Sequence, residues 1–127
     1  MIAATHPGAS YGEALEAGIA AYERLGYHDE WQHHFQGGPI AYAPREFNPT
    51  PSSHPGAFTD YAVAVGHCCA WNPTVRGGKS EDTFLVGPGG PELISNSDEW
   101  PALEVAVGAA TVRRPALLEL DAGGSGS

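Results

Sequence analysis

One stretch of this chain, Tyr11 to Leu25, holds a helical pattern long enough to commit the fold, while glycine and proline interrupt the rest. Ala14, Leu15, Ala17, Gly18, Ile19, Ala21, Tyr22 and Leu25 recur at the three- and four-residue spacing of one helix face. Glu13, Glu16, Glu23 and Arg24 are left for the opposite face. Ser10, with Glu13 three residues on, is a capping-box pattern, and Gly26 is a natural stop. With 17 Gly and 11 Pro in 127 residues, turns and short elements are expected elsewhere. The pattern therefore predicts an α+β chain with one N-terminal helix packed on an antiparallel sheet.

Strand signals follow the helix. Residues 35–42 form a strand pattern in which Gly37-Gly38-Pro39 predict a bulge or a close approach. Asn48 to Gly56, rich in proline and small polar residues, reads as a loop. Thr59 to Trp71 is apolar enough for a buried strand. Asp82 to Val86, the turn Gly87-Pro88-Gly89-Gly90-Pro91, and Glu92 to Ser95 read as a hairpin. A later strand is expected near Ala109 to Val112 and another at Ala116 to Leu120. Residues 1–122 are expected as one domain and 123–127, Gly-Gly-Ser-Gly-Ser, as a flexible tail.

Composition excludes some partners. A formal charge of −9, with only 6 Lys and Arg against 15 Asp and Glu, argues against a phosphate backbone, which is bound through clustered cations. No stretch approaches the roughly 20 apolar residues of a membrane span. The N-terminus lacks the basic-then-apolar order of a signal peptide, so a cytoplasmic location is expected. Cys68 and Cys69 are adjacent, and the ring their disulfide would close is strained. They read as buried small hydrophobes in a reducing compartment. A soft-metal thiolate pair is the alternative, although the usual two-residue spacer is missing.

Two separated segments carry chemistry-bearing side chains: Glu30 to Gly38, with His33 and His34 beside Gly37-Gly38, and Trp71 to Thr83, with Glu81-Asp82. Histidine and glutamate brought together from distant strands could hold a divalent ion. Each feature also has a plainer structural reading. In an extended segment His33 and His34 point to opposite faces, so one packs and one stays in solvent. Glu81-Asp82 after Lys79 could be a solvated charged turn. Asn72-Pro73 reads as turn chemistry, and Arg45-Glu46 as an exposed pair of little energetic weight. Trp31 and Trp71 read as core or site-lining aromatics.

Taken in order, these segments resemble the C-terminal half of the pita-bread metallopeptidases: creatinase, aminopeptidase P, prolidase and methionine aminopeptidase. The likeness runs from about Pro7 through Pro115. It comprises Pro7-Gly8-Ala9-Ser10, a helix ending Ala21-Tyr22-Glu23-Arg24-Leu25-Gly26-Tyr27, and His34 with Gly37 in a His-x-x-Gly spacing. Then come Arg45-Glu46, Trp71-Asn72-Pro73, Lys79-Ser80-Glu81-Asp82 and Gly89-Gly90-Pro91-Glu92-Leu93-Ile94. The resemblance implies half of a pita-bread fold with a curved sheet. It makes His34 and Glu81 metal ligands, and it puts Arg45 and Glu46 where relatives carry a His-Glu pair that assists the substrate.

Departures from the pattern are as informative. The family binds two ions through two aspartates, one histidine and two glutamates, and no upstream aspartate pair is found here. Asn72, a neutral and weaker donor, stands at one glutamate position. Arg45 cannot give up a proton at neutral pH, though it can hold an oxyanion or a carboxylate. The expected function is thus a truncated or divergent metallopeptidase-like domain. Full-length relatives would use Mn, Co or Zn on a peptide or small amide, and this chain alone is expected to be inactive. The alternative is a non-enzymatic module that binds a small ligand, completes a partner carrying the missing half, or forms a homo-oligomer. A weaker alternative is a small cupin-like barrel with His28, His33, His34 and His67 around one metal.

Overall fold

The computed structural model describes residues 1–107 and 110–120. The chain divides into two compact units, Met1–Ser95 and Asn96–Ser127. The expected tail at 123–127 lies outside the described residues. The class is mixed α+β, with one α-helix and antiparallel sheets among the described residues.

In the first unit, α1 spans Tyr11–Arg24. The capping box is formed in both directions: Ser10 Oγ accepts from the Glu13 amide at 3.1 Å, and Glu13 Oε2 accepts from the Ser10 amide at 2.7 Å. These bonds satisfy two amides that a helix start otherwise leaves open. At the other end Gly26 takes φ +82°, the left-handed geometry that stops a helix. The buried face carries Tyr11, Ala14, Leu15, Gly18, Ile19 and Tyr22, while Ala17 and Leu25, expected on the same face, are exposed.

That face packs on a four-stranded antiparallel sheet ordered β1-β2-β5-β6, where β1 is Gly37–Ile40, β2 Cys68–Trp71, β5 Asp82–Gly87 and β6 Gly90–Leu93. Alternation decides which sheet residues join the core. Cys69 and Trp71 of β2, with Phe84 and Val86 of β5, meet Tyr11, Leu15 and Ile19, while Cys68, Ala70, Thr83 and Leu85 lie on the less buried face. Each large apolar side chain buried here contributes roughly 1.5–3 kcal/mol. A two-residue ladder, β3 Thr74–Val75 with β4 Gly78–Lys79, turns the chain between β2 and β5.

The β5–β6 hairpin forms as the turn chemistry predicts, with Gly87 paired to Gly90. The expected strand at residues 35–42 shortens to β1, and the loop at Asn48–Gly56 is a loop. The expected strand over Thr59–Trp71 is confined to Cys68–Trp71. Its first part instead straps the start of α1: Gly12 N–H donates to Thr59 O, Tyr11 N–H to Tyr61 O and Val63 N–H to Ala9 O, at 2.9–3.1 Å.

In the second unit, β7 (Ala102–Val107) pairs with β8 (Ala110–Pro115) in a hairpin. The late strand is therefore longer than the expected Ala109–Val112. Residues 116–120 carry no strand. Trp100 Nε1 donates to Ala116 O at 2.9 Å and Arg113 pairs with Asp98 at 3.0 Å, closing the ends of this hairpin.

Candidate functional site

The residues marked in the sequence gather at one end of the four-stranded sheet. The register pairs Gly37 with Trp71, and Trp71 with Asp82. One step beyond Trp71, the Asn72 amide donates to the Gln36 carbonyl at 3.0 Å. Glu81 is the residue before Asp82 on the neighbouring strand. His34, Asn72 and Glu81 therefore sit at the same end of β1, β2 and β5, His34 lying 38 residues before Asn72 and Glu81 nine residues after it.

Each of the three has a distinct setting. His34 is exposed and extended after a short 3-10 turn at Glu30–His33. Its Nδ1 meets the Phe35 carbonyl. A carbonyl can only accept, so Nδ1 carries the proton and Nε2 keeps its lone pair in the neutral ring. That backbone bond is how ligating histidines are commonly oriented. Glu81 is exposed and ion-paired with Lys79 at 3.2 Å. Asn72 is only 9% exposed, and its Oδ1 has no hydrogen-bond partner among the described residues.

Arg45 reaches the same end by stacking. Its guanidinium carbon lies 3.6 Å from the centroid of Phe35, the residue after His34. Glu46 braces the intervening loop: its amide donates to Pro39 O and its Oε1 accepts from the Ala43 amide, both at 3.1 Å. The fold thus brings the backbone at His34, Asn72 and Glu81, and the Arg45 stack on Phe35, to the same sheet end, and commits a Glu46 oxygen to the loop.

A metal fits these residues poorly as they stand. Among the described residues, no three His, Cys, Asp or Glu side chains stand together as an ion-holding group. Cys68 and Cys69 are free thiols on opposite faces of β2, so a thiolate clasp on one ion is not favoured. Of the histidines in the cupin-like alternative, His28 is drawn to Glu23 and His67 to Tyr11.

Gly37 and Gly38 have a structural cause. Gly37 takes φ +98°, and a Cβ there would lie 2.1 Å from the Ala70 carbonyl oxygen. Close approach of β2, rather than of a substrate, requires glycine at this position.

A second polar cluster was not marked in the sequence. Tyr11 Oη lies 3.1 Å from His67 Nδ1 and 3.2 Å from Cys69 Sγ. The Ala64 amide donates to the same Nδ1 at 3.3 Å, so that nitrogen is an acceptor and Tyr11 donates to it. In the contact with Cys69 either the hydroxyl or the thiol can be the donor. Burial raises the Tyr11 phenol well above its ordinary value, helped by the bond to Cys69. Burial likewise pushes the Cys69 thiol up to about 11, against an opposing contribution from Tyr11. Both stay protonated at neutral pH, so the cluster ties helix to sheet and does not supply a thiolate nucleophile. Tyr11 appeared in the sequence only as an aromatic at the helix start, with no signal of this role.

Comparison with protein-family models, with curated proteins and with solved structures finds no match to this chain. No helix among the described residues is long and apolar enough to cross a membrane.

Proposed function

We propose that this chain is a divergent pita-bread metallopeptidase-like domain, corresponding to the part that carries the family's later ligand positions. On this reading the sheet is half of the curved pita-bread sheet, and the two free thiols accord with a cytoplasmic location. The single supporting observation is the strand register, which puts the chain at His34, Asn72 and Glu81 at one end of three adjacent strands. Asn72 and Glu81 flank the short connection between β2 and β5, so it is the β1–β2 pairing that brings the distant His34 to the same end.

Two ionisable ligands and an amide do not retain a catalytic ion, and no peptide hydrolysis is expected from these residues alone. In a complete relative, Mn, Co or Zn would activate a hydroxide for attack on the amide carbonyl. This chain's own contribution would be His34 presenting Nε2, Glu81 presenting a carboxylate once released from Lys79, and Arg45 holding a negatively charged group.

Restoring the neutral position tests the proposal. Asn72→Glu replaces the neutral amide with a second carboxylate, and Mn2+, Co2+ or Zn2+ should then bind at least about tenfold tighter than to the unchanged chain, the equivalent of about 1.4 kcal/mol. Asn72→Gln should give no gain, and His34→Ala added to Asn72→Glu should abolish it. Titration calorimetry, with circular dichroism as the check on folding, reads all three. A folded Asn72→Glu variant with no gain would mean that the three side chains do not converge, and the reading would fall.

A second reading, a non-enzymatic ligand-binding or partner-completing module, is favoured by the aromatic surface. Phe58 (38% exposed) stacks on Phe47 at 4.6 Å, and Tyr61 (49% exposed) leans on the same ring at 4.7 Å. Exposed apolar patches of this kind mark contact surfaces when contiguous. Size-exclusion chromatography with light scattering discriminates: a monodisperse monomer counts against a required partner or a homo-oligomer.

A further inference from the structure

Arg45 is exposed, yet it is held in place. A guanidinium stacked at 3.6 Å on Phe35 uses its planar face for the ring and keeps its N–H donors at the rim. Among the described residues none of those donors meets an acceptor, although the chain carries 15 Asp and Glu against 6 Lys and Arg. Glu46, the adjacent carboxylate, has its Oε1 bonded to the Ala43 amide. Lys79 and Arg113 are paired with Glu81 and Asp98, and what sets Arg45 apart is the aromatic ring beneath it.

A planar fork fixed on an aromatic ring has surrendered most of its rotamer freedom before a ligand arrives. Its geometry matches two carboxylate oxygens side by side. The platform also sits at the sheet end described above, because Phe35 lies between His34 and Gln36, whose carbonyl holds Asn72. We infer that Arg45, braced on Phe35, is a binding residue for a ligand carboxylate at this end of the sheet. The ligand is a small organic acid or a peptide with a free C-terminus. A substrate is expected at this place on the metallopeptidase-like reading, and the assignment of Arg45 rests on that reading for its location.

Nuclear magnetic resonance of the arginine Nε–H groups in the full chain tests it, with three probes: an N-acetylated dipeptide acid, its C-terminal amide, and acetate. The expected result is a saturable shift of the Arg45 resonance with the dipeptide acid and none with the amide. Arg45→Lys should weaken binding by about fivefold or more, because an ammonium cannot form the fork. Arg45→Gln should abolish it, and Phe35→Leu, which keeps the guanidinium but removes its platform, should weaken it. Acetate binding as tightly as the dipeptide acid identifies a small acid as the ligand and keeps the carboxylate assignment. An equal response to the amide, equal shifts at Arg24 and Arg76, or no shift overturns it. Failure here is separable from failure of the domain reading, because a gain of metal binding in Asn72→Glu does not depend on Arg45.

Discussion

Tyr11, the first residue of α1, donates its phenolic hydrogen to His67 Nδ1 across 3.1 Å, and so fixes the start of the helix to the segment entering β2. The same oxygen lies 3.2 Å from Cys69 Sγ. Tyr11→Phe keeps the ring that packs edge-on against Phe47 but removes both bonds. Loss of buried partners of this kind costs about 1–3 kcal/mol. Urea denaturation should show that loss with an unchanged slope; a variant as stable as the parent would mean that the hydroxyl contributes nothing net.

Alkali should weaken the fold through the same cluster. Burial raises the Cys69 thiol from an ordinary 9.0 to about 11, so the folded chain holds this proton more tightly than the unfolded chain does. The stabilisation is complete below pH 9.0 and is lost as pH rises to about 11. The raised Tyr11 phenol adds a loss at still higher pH. Urea midpoints should therefore fall between about pH 9 and about pH 11, and Cys69→Ala should flatten that fall. Ellman's reagent should modify half-buried Cys68 in the native protein and reach Cys69 only on unfolding.

Some of this was legible in the sequence, for a physical reason. The helix and the β5–β6 hairpin are specified locally: Ser10, Glu13 and Gly26 set the helix ends, and Gly87 to Gly90 set the turn. Thr59–His67 was misread because an apolar run says that a segment is buried, not that it pairs. Val63 is buried beside α1, and one bridge, Ser10 with Ala62, stands in for a strand. The sequence marked His34, Asn72, Glu81 and Arg45, while their meeting at one sheet end depends on long-range register. The stack of Arg45 on Phe35 could not be read from spacing, since nine residues of loop and strand intervene.

Gly37 gives a sharp contrast between two glycines. At Gly26 a left-handed φ of +82° faces open space, so Gly26→Ala should cost only the conformational penalty of about 1 kcal/mol. At Gly37 the backbone is similarly left-handed and a Cβ would also collide with the Ala70 carbonyl. Gly37→Ala should force β1 from β2 and cost at least about 3 kcal/mol, combining strain with lost pairing. Thermal melts of the two variants compare them directly. Equal losses would show that the close approach does not matter.

Trp71 carries the last test, because its indole is buried in the core with a single polar handle. Its Nε1–H donates to Thr5 Oγ1 at 2.8 Å, and Thr5 is itself fully buried, donating to the Met1 carbonyl at 3.0 Å. Thr5→Val keeps the shape but strands the indole N–H away from water, which costs about 1–3 kcal/mol. Thr5→Ser keeps the acceptor and should lose less, mainly for one methyl group at about 1 kcal/mol. Trp71→Phe removes the donor and leaves a cavity, so its own loss is larger. The double variant Thr5→Val with Trp71→Phe should then be more stable than the two single losses added together, by about 0.5–2 kcal/mol, because no donor remains to be stranded. Strict additivity in urea denaturation would show that the bond does not couple the N-terminal segment to β2.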